Sequence, residues 1–396
     1  MQRIFFAVLA LTVSLLMCEG VLRVVAALVP RVDYLLQPAW SRRSPPDSVL
    51  GHRVSPYEPG MDARGYRNAV ALEHASILAL GDSYTFGVPA GSDEAWPAVL
   101  AGTLGRSVYN AGIIGYGFCE YSRVLGSLAA LKPKHVIVGV FTGNDLGDSY
   151  RAVYSEGRCA ELRNADKATT LALAARDAQS TIADDAAALG WDWFSEGTSS
   201  RVSVSPLRRL TETSRLYGLV REFRHRLAPA PRVTYASASA FPNREGWNAR
   251  PEIRTVFKRP EMMALTVDLS DPRIREGLRI GLQSLGGMRD SLAAAGVRFL
   301  VVLIPDKASI YVPVMASSAQ PAGAQLERLS RLDSEVRRAL SSGLDSLGIT
   351  YVDVTPALVA ALQQGVPVYP ADDDHHNSAA GYRVIGEVIA RSPVLR

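Results

Sequence analysis

A doubly wound α/β fold, with a parallel sheet between two layers of helices, follows from two features of the sequence. Short apolar runs end in turn residues, and helical patterns fill the intervals between them. A third feature, an uncharged apolar N-terminus, sets a membrane helix ahead of that body.

Residues 76–81, Ser-Ile-Leu-Ala-Leu-Gly, read as a buried strand, because parallel strands covered on both faces are continuously apolar rather than alternating. The runs at 107–113, 135–141, 297–305 and 349–354 repeat the pattern. Helical spacing appears at 94–104, 119–131, 275–295, 325–347 and 378–390. The alternation breaks at 150–272, where helical periodicity over 163–189 and 206–227 and an irregular Pro/Arg-rich stretch over 229–260 mark a largely helical insertion. The segmentation expected is therefore an anchor at 1–30, an irregular leader at 31–75, a body formed by 76–149 with 273–396, and the insertion shaping the mouth of the site.

The N-terminal stretch 4–17 carries no charge, and 21–29 is again apolar up to Pro30. Glu19 and Arg23 interrupt it, at a cost of about 2.5–3.5 kcal/mol for each charge at a helix centre. Their i, i+4 spacing lets them pair, and Arg23 can snorkel, so the expectation is a single membrane anchor. A cleaved signal peptide, with Ala26 and Ala27 near the cut, and a buried amphipathic helix are the alternatives. Basic residues on both sides of the segment leave its orientation open.

Lys plus Arg (43) nearly balance Asp plus Glu (39), and no basic run interleaved with aromatics occurs, which argues against a nucleic-acid partner. Cys18 reads as a small buried hydrophobe. Met17 before it, in place of a small residue, argues against a lipoprotein site. Cys119 and Cys159 are disulfide candidates in an exported body, although sequence supplies no distance between them.

Four segments carry chemistry. Gly81-Asp82-Ser83 follows the first strand at the carboxyl edge of the sheet, where open α/β folds bind ligands. A Ser in that turn can act as nucleophile beside its own backbone N–H. The glycine-rich segment 110–117, containing Gly115, and Thr142-Gly143-Asn144-Asp145 follow the next two strands and can add an N–H and an amide to an oxyanion hole, unless the glycines serve only a turn and Asn144 only a helix cap. In Asp372-Asp373-Asp374-His375-His376-Asn377, His375 can serve as general base with Asp372 three residues earlier orienting it and Asp373 as runner-up; His376 reads as a wall residue. A metal site is the poorer reading of this cluster, with no second His/Cys group in the chain. Lys307 reads as an exposed loop lysine.

Together these blocks resemble the SGNH (GDSL-type) serine hydrolase family over 76–149 and 297–391. The N-terminal helix, Arg64-Gly65-Tyr66-Arg67 and the long insertion look like its bacterial membrane-anchored branch. The resemblance implies a flavodoxin-like three-layer sheet, with Ser83 as nucleophile, His375 as base, Asp372 as its partner, and Ser83, Gly115 and Asn144 lining the oxyanion hole. It further implies hydrolysis of small acyl esters without cofactor or metal, acylated carbohydrate of the cell envelope as a substrate, and a body outside the cytoplasm. An O-acyltransferase using the same triad and a non-catalytic anchored binding protein are the rival readings.

Overall fold

The structure, a computed structural model, describes residues 2–37, 44–182, 184–185, 213–227, 245–257 and 259–396. The chain divides into two compact units, Met1–Gly65 with Trp193–Thr234 and Tyr66–Asp192 with Tyr235–Arg396.

In the first unit, α1 (Gln2–Leu28) is long and apolar enough to cross a membrane. Pro30 opens α2 (Pro30–Leu36), and a helix at Arg215–Leu227 packs against both. Cys18, expected buried, is exposed, because it lies on the apolar surface of α1 and none of the described residues covers it.

In the second unit the five expected strands are β1 (Ile77–Gly81), β2 (Val108–Asn110), β3 (His135–Phe141), β4 (Arg298–Ile304) and β5 (Tyr351–Asp353). They form one parallel sheet in the order β2-β1-β3-β4-β5. β1 and β3 are buried along their whole length, as the apolar sequence of β1 and of β3 after His135 requires. The layers are built by α3 (Ser83–Phe86), α4 (Trp96–Leu104), α5 (Phe118–Ser127), α6 (Asp145–Tyr150), α7 (Lys167–Gln179), α8 (Pro272–Ala294), α9 (Lys307–Met315), α10 (Ala324–Ser346), α11 (Thr355–Gln363) and α12 (Ala379–Ala390). The segments with Ser83, Gly115 and Asn144 follow the carboxyl ends of β1, β2 and β3, so the parallel order gathers them at one edge, while residues 372–377 lie between α11 and α12.

Within the expected insertion, α7 forms part of the helical pattern at 163–189, and the 215–227 helix part of that at 206–227. Residues 186–212 and 228–244 lie outside the described residues. A short antiparallel pair, Glu245–Trp247 with Thr255–Phe257, stands where irregular chain was expected.

Cys119 on α5 and Cys159 are joined by a disulfide, with Cα atoms 6.1 Å apart and a sequence separation of 40. The bridge sits among Ala152, Val153 and Ile280, next to the Arg158–Glu120 ion pair. Closing a loop of that length removes about 4 kcal/mol of denatured-state entropy. Cys119→Ser/Cys159→Ser is expected to lower unfolding stability by roughly 2–5 kcal/mol in urea titrations. A midpoint unmoved by the double substitution, or by reductant on the native chain, would contradict a structural role for the bridge.

Candidate active site

Ser83 begins α3 directly after β1, and the turn between them is tightly constrained. Gly81 has φ +152°, and a Cβ there would lie 2.1 Å from Thr85 Oγ1 and 2.7 Å from the Gly139 carbonyl. Gly112, after β2, brings its backbone so close that a Cβ would lie 2.4 Å from the Phe86 nitrogen. These contacts wedge α3 between the strand ends, and only glycine fits at either place. Asp82 caps α3 by accepting the Tyr84 N–H at 2.9 Å.

Ser83 Oγ lies 2.9 Å from His376 Nε2, and His376 Nδ1 lies 2.7 Å from Asp374 Oδ1. The same carboxylate oxygen accepts the His376 backbone N–H at 2.9 Å, so an Asx turn fixes both the ring and the main chain. This corrects the expected assignment of His375 and Asp372. The expectation rested on residues three apart approaching within a helical turn, but α12 starts only at Ala379, with the Ser378 side chain accepting the Gly381 N–H. Residues 372–377 are instead a chain of Asx turns, in which a carboxylate reaches two residues ahead. Asp372 Oδ1 accepts the Asp374 N–H at 3.0 Å and is directed into its own turn. Asp373, the runner-up, does not supply the carboxylate on His376 Nδ1 either. The His375 ring stacks on His376 with centroids 4.3 Å apart, and its carbonyl accepts the Tyr84 hydroxyl at 2.6 Å.

Lys307 is the second correction: it is buried, and Nζ donates to the carbonyls of Val256 (3.0 Å), Asp372 (3.2 Å) and Asp374 (2.9 Å). The rings of Phe257 and Tyr369 flank the ammonium. Asp306 caps α9, so Lys307 occupies the first helical position and its side chain reaches the 372–374 turn. Burial pulls the ammonium down to about 8, against the carboxylates of Asp372, Asp374, Asp306 and Asp373.

Asn144 stands at the N-cap position of α6 but makes no capping bond, and its Oδ1 is buried without a partner among the described residues. The helix-cap alternative for its side chain is thereby removed. Gly115 is left-handed, φ +76°, and its N–H has no acceptor among the described residues. Asp145 is inward-facing structure: Oδ2 accepts the Phe141 N–H at 3.1 Å and the Tyr121 hydroxyl at 3.0 Å, tying the end of β3 to α5.

Burial pushes the Asp82 carboxyl up to about 7; the Tyr84 N–H opposes this and the Asp148 charge adds to it. Burial likewise raises Asp145, with the charges of Asp82 and Asp148 reinforcing it. Asp374 goes the other way: burial raises it, but the His376 ring, the His376 N–H and the charge of His375 outweigh that and hold it well below the usual carboxylate range. The carboxylate that faces the imidazole therefore stays ionised, while those beneath Ser83 resist ionisation. Asp374, His375 and His376 could also surround a cation. Both His376 ring nitrogens already face partners, Asp374 and Ser83, which favours a proton relay over a metal centre.

A family model described as GDSL-like lipase/acylhydrolase matches residues 79–259. A second, described as SGNH hydrolase-like domain, acetyltransferase AlgX, matches residues 265–395. The first contains Ser83, Gly115 and Asn144, and the second Lys307, Asp374 and His376. No curated protein matches the chain. Among solved structures, it is similar to a lipolytic protein of the G-D-S-L family from Desulfitobacterium hafniense, with 15% identity over 80% of this chain and 97% of that one, TM-score 0.37. LAE5, an α/β hydrolase from the metagenome of Lake Arreo, is similar at 12% identity over 81% and 96%, TM-score 0.37. A catalytic mutant of Axe2, an acetylxylan esterase from Geobacillus stearothermophilus, is similar at 13% identity over 82% and 99%, TM-score 0.36.

Proposed function

The chain belongs to the SGNH (GDSL-type) hydrolases, enzymes acting on ester bonds, and from that premise we propose that it cleaves small acyl esters of carbohydrate through an acyl-enzyme on Ser83. The observation that carries this reading is the continuous chain Ser83 Oγ–His376–Asp374, with contacts of 2.9 and 2.7 Å. His376 takes the hydroxyl proton as Ser83 attacks the ester carbonyl, and Asp374 holds the ring and offsets the imidazolium charge. The Ser83 and Gly115 N–H groups and the Asn144 amide hold the tetrahedral oxyanion. His376 then returns the proton to the leaving alcohol, and water activated by the same base releases the acid.

Mixing enzyme with an acetylated saccharide and quenching within one turnover is expected to trap an acyl adduct on the Ser83 peptide. Turnover with no adduct at any time point would count against the covalent route. A second reading, acyl transfer to a saccharide hydroxyl in place of water, is favoured by the match of residues 265–395 to the acetyltransferase-type domain. Acetyl transfer to an added unacetylated glycan, in competition with hydrolysis, separates the two.

Asn144→Ala is expected to lower kcat about 10²–10³-fold with KM little changed, as for loss of one oxyanion donor among three. An unchanged kcat would remove Asn144 from that role.

Lys307 holds the turn that carries Asp374, so its ammonium positions the acid–base pair without touching substrate. Below about pH 8 the group is charged and all three of its hydrogens are available to the carbonyls; as pH rises through about 8 one is lost and the turn loosens. Activity is expected to fall on that alkaline limb. Lys307→Met is expected to lower kcat by about 10- to 100-fold, the scale for a catalytic group displaced by about 1 Å, and to abolish the limb. A limb near pH 8 that persists in the Met variant would assign it to another group.

We further propose that α1 is a retained membrane anchor with the body outside the cytoplasm. The disulfide supports the placement of the body, since such bridges persist in oxidising compartments.

A further inference from the structure

The two charges that interrupt α1 are both committed to one neighbour. Glu19 accepts hydrogen bonds from Ser214 Oγ (2.9 Å), the Arg215 N–H (3.0 Å), the Leu216 N–H (2.9 Å) and Arg23 Nε (2.8 Å). Arg23 also donates to the Thr213 carbonyl at 3.1 Å. Glu19 thus supplies the N-terminal cap of the 215–227 helix from another element, and neither charge is left uncompensated along α1. The start of the 215–227 helix is thereby fixed at the level of Glu19.

That helix has two unlike faces. At about 100° per residue, Leu216, Leu219, Val220 and Phe223 fall on one stripe, with the i, i+3, i+4, i+7 spacing of an apolar helix face. Gly218 lies on the far side, packed so closely that a Cβ would sit 2.1 Å from the Leu36 carbonyl oxygen. Arg221 donates to the Leu36 and Gln37 carbonyls at the end of α2. The protein therefore covers the small and polar face and leaves the apolar one outward: Leu219 is 46% exposed, Val220 48% and Phe223 63%. Tyr217 and Arg224 border the stripe, residue types whose polar tips reach headgroups while their stems stay in apolar surroundings.

We propose that the 215–227 helix lies along the headgroup–acyl boundary of the bilayer that α1 crosses, with Leu219, Val220 and Phe223 in the acyl region. The inference rests on the reading of α1 as a retained anchor. Depth selects lipid as the occupant: the uncharged segment 4–18 spans roughly 22 Å at about 1.5 Å per residue, short of a hydrocarbon core of about 30 Å. Glu19, and the helix start bound to it, consequently lie no farther out than the interfacial zone. Val21, Val24 and Leu28 carry exposed apolar surface on α1 beyond that level, so the apolar stripe continues one already directed at lipid. Two attachments, one spanning and one lying flat, restrict rotation of this unit about the α1 axis.

The test uses the full chain in vesicles of phosphatidylcholine and phosphatidylglycerol, with Cys18→Ser as background and single nitroxide-labelled cysteines at Phe223→Cys, Leu219→Cys, Leu11→Cys and Leu171→Cys. Leu11 reports insertion of α1, and exposed Leu171 on α7 is the aqueous reference. Labels at 223 and 219 are expected to collide with oxygen in preference to a nickel chelate, at a depth on the order of 5–10 Å. The label at 11 should lie deeper, and the one at 171 should favour nickel. If 223 and 219 behave like 171 while 11 stays in lipid, the interfacial helix is overturned and the anchor stands. If 11 is aqueous as well, both readings fall. Protection of 223 and 219 from both reagents would mean that protein covers the stripe, which also overturns the proposal.

Discussion

His376→Ala is expected to lower kcat on an aryl ester by about 10⁶-fold, as far as Ser83→Ala and no less than the double variant, because members of such a triad act as a unit. His375→Ala should stay within about tenfold of the native enzyme. The difference follows from geometry: Nε2 of His376 is 2.9 Å from Ser83 Oγ, whereas the His375 carbonyl, which alanine retains, accepts the Tyr84 hydroxyl. Loss of the His375 ring removes one stacking partner of His376 and leaves the proton path in place. Steady-state kinetics of the four variants, with folding checked by circular dichroism, decide the matter. A crippled His375→Ala beside an active His376→Ala would reverse the assignment.

Asp374→Asn is expected to cost about 10⁴-fold in kcat with little change in fold. An Asn oxygen can still accept the His376 backbone N–H, so the Asx turn survives, but the amide no longer offsets the imidazolium and can select the wrong tautomer. Because Asp374 is held below the ordinary carboxylate range, the native enzyme keeps this charge through neutral and mildly acidic pH. Asp372→Asn should remain within about tenfold: the amide oxygen can replace Oδ1 as acceptor of the Asp374 N–H, and of the carboxylates that favour a charged Lys307 those of Asp374, Asp306 and Asp373 remain. Rate constants for the two variants side by side test the order; Asp372→Asn as the slower enzyme would contradict it.

The sheet was legible chiefly from its central strands β1 and β3, near-continuous apolar runs of the kind forced on a parallel strand covered on both faces. β2 and β5 are shorter than the apolar runs that announced them, since each is an edge strand whose ends have pairing on one side only. The helices α9 and α11 have no amphipathic signature: Lys-Ala-Ser-Ile-Tyr-Val-Pro-Val-Met carries an internal Pro and no polar face, and Thr-Pro-Ala-Leu-Val-Ala-Ala-Leu-Gln is nearly all apolar. The position of Ser83 follows from where β1 ends, and that boundary is marked by Gly81. Which His and which Asp face it depends instead on turn geometry within 372–377, where three Asp and two His offer several registers. One signal was present: Ser378 as an N-cap puts the helix start at Ala379 and leaves residues 372–377 outside it, which weakens any pairing three residues apart. For Lys307 the clue was Asp306, a capping residue that makes the next position the first of a buried helix rather than part of an open loop.

The most direct test of the central claim is labelling of the intact chain with a serine-reactive phosphonate, followed by peptide mass spectrometry. One equivalent is expected on the peptide containing Ser83, at a rate cut by orders of magnitude in His376→Ala and Asp374→Asn and nearly unchanged in His375→Ala and Asp372→Asn. No adduct, an adduct on another serine, or labelling that depends on His375 rather than His376 would contradict it.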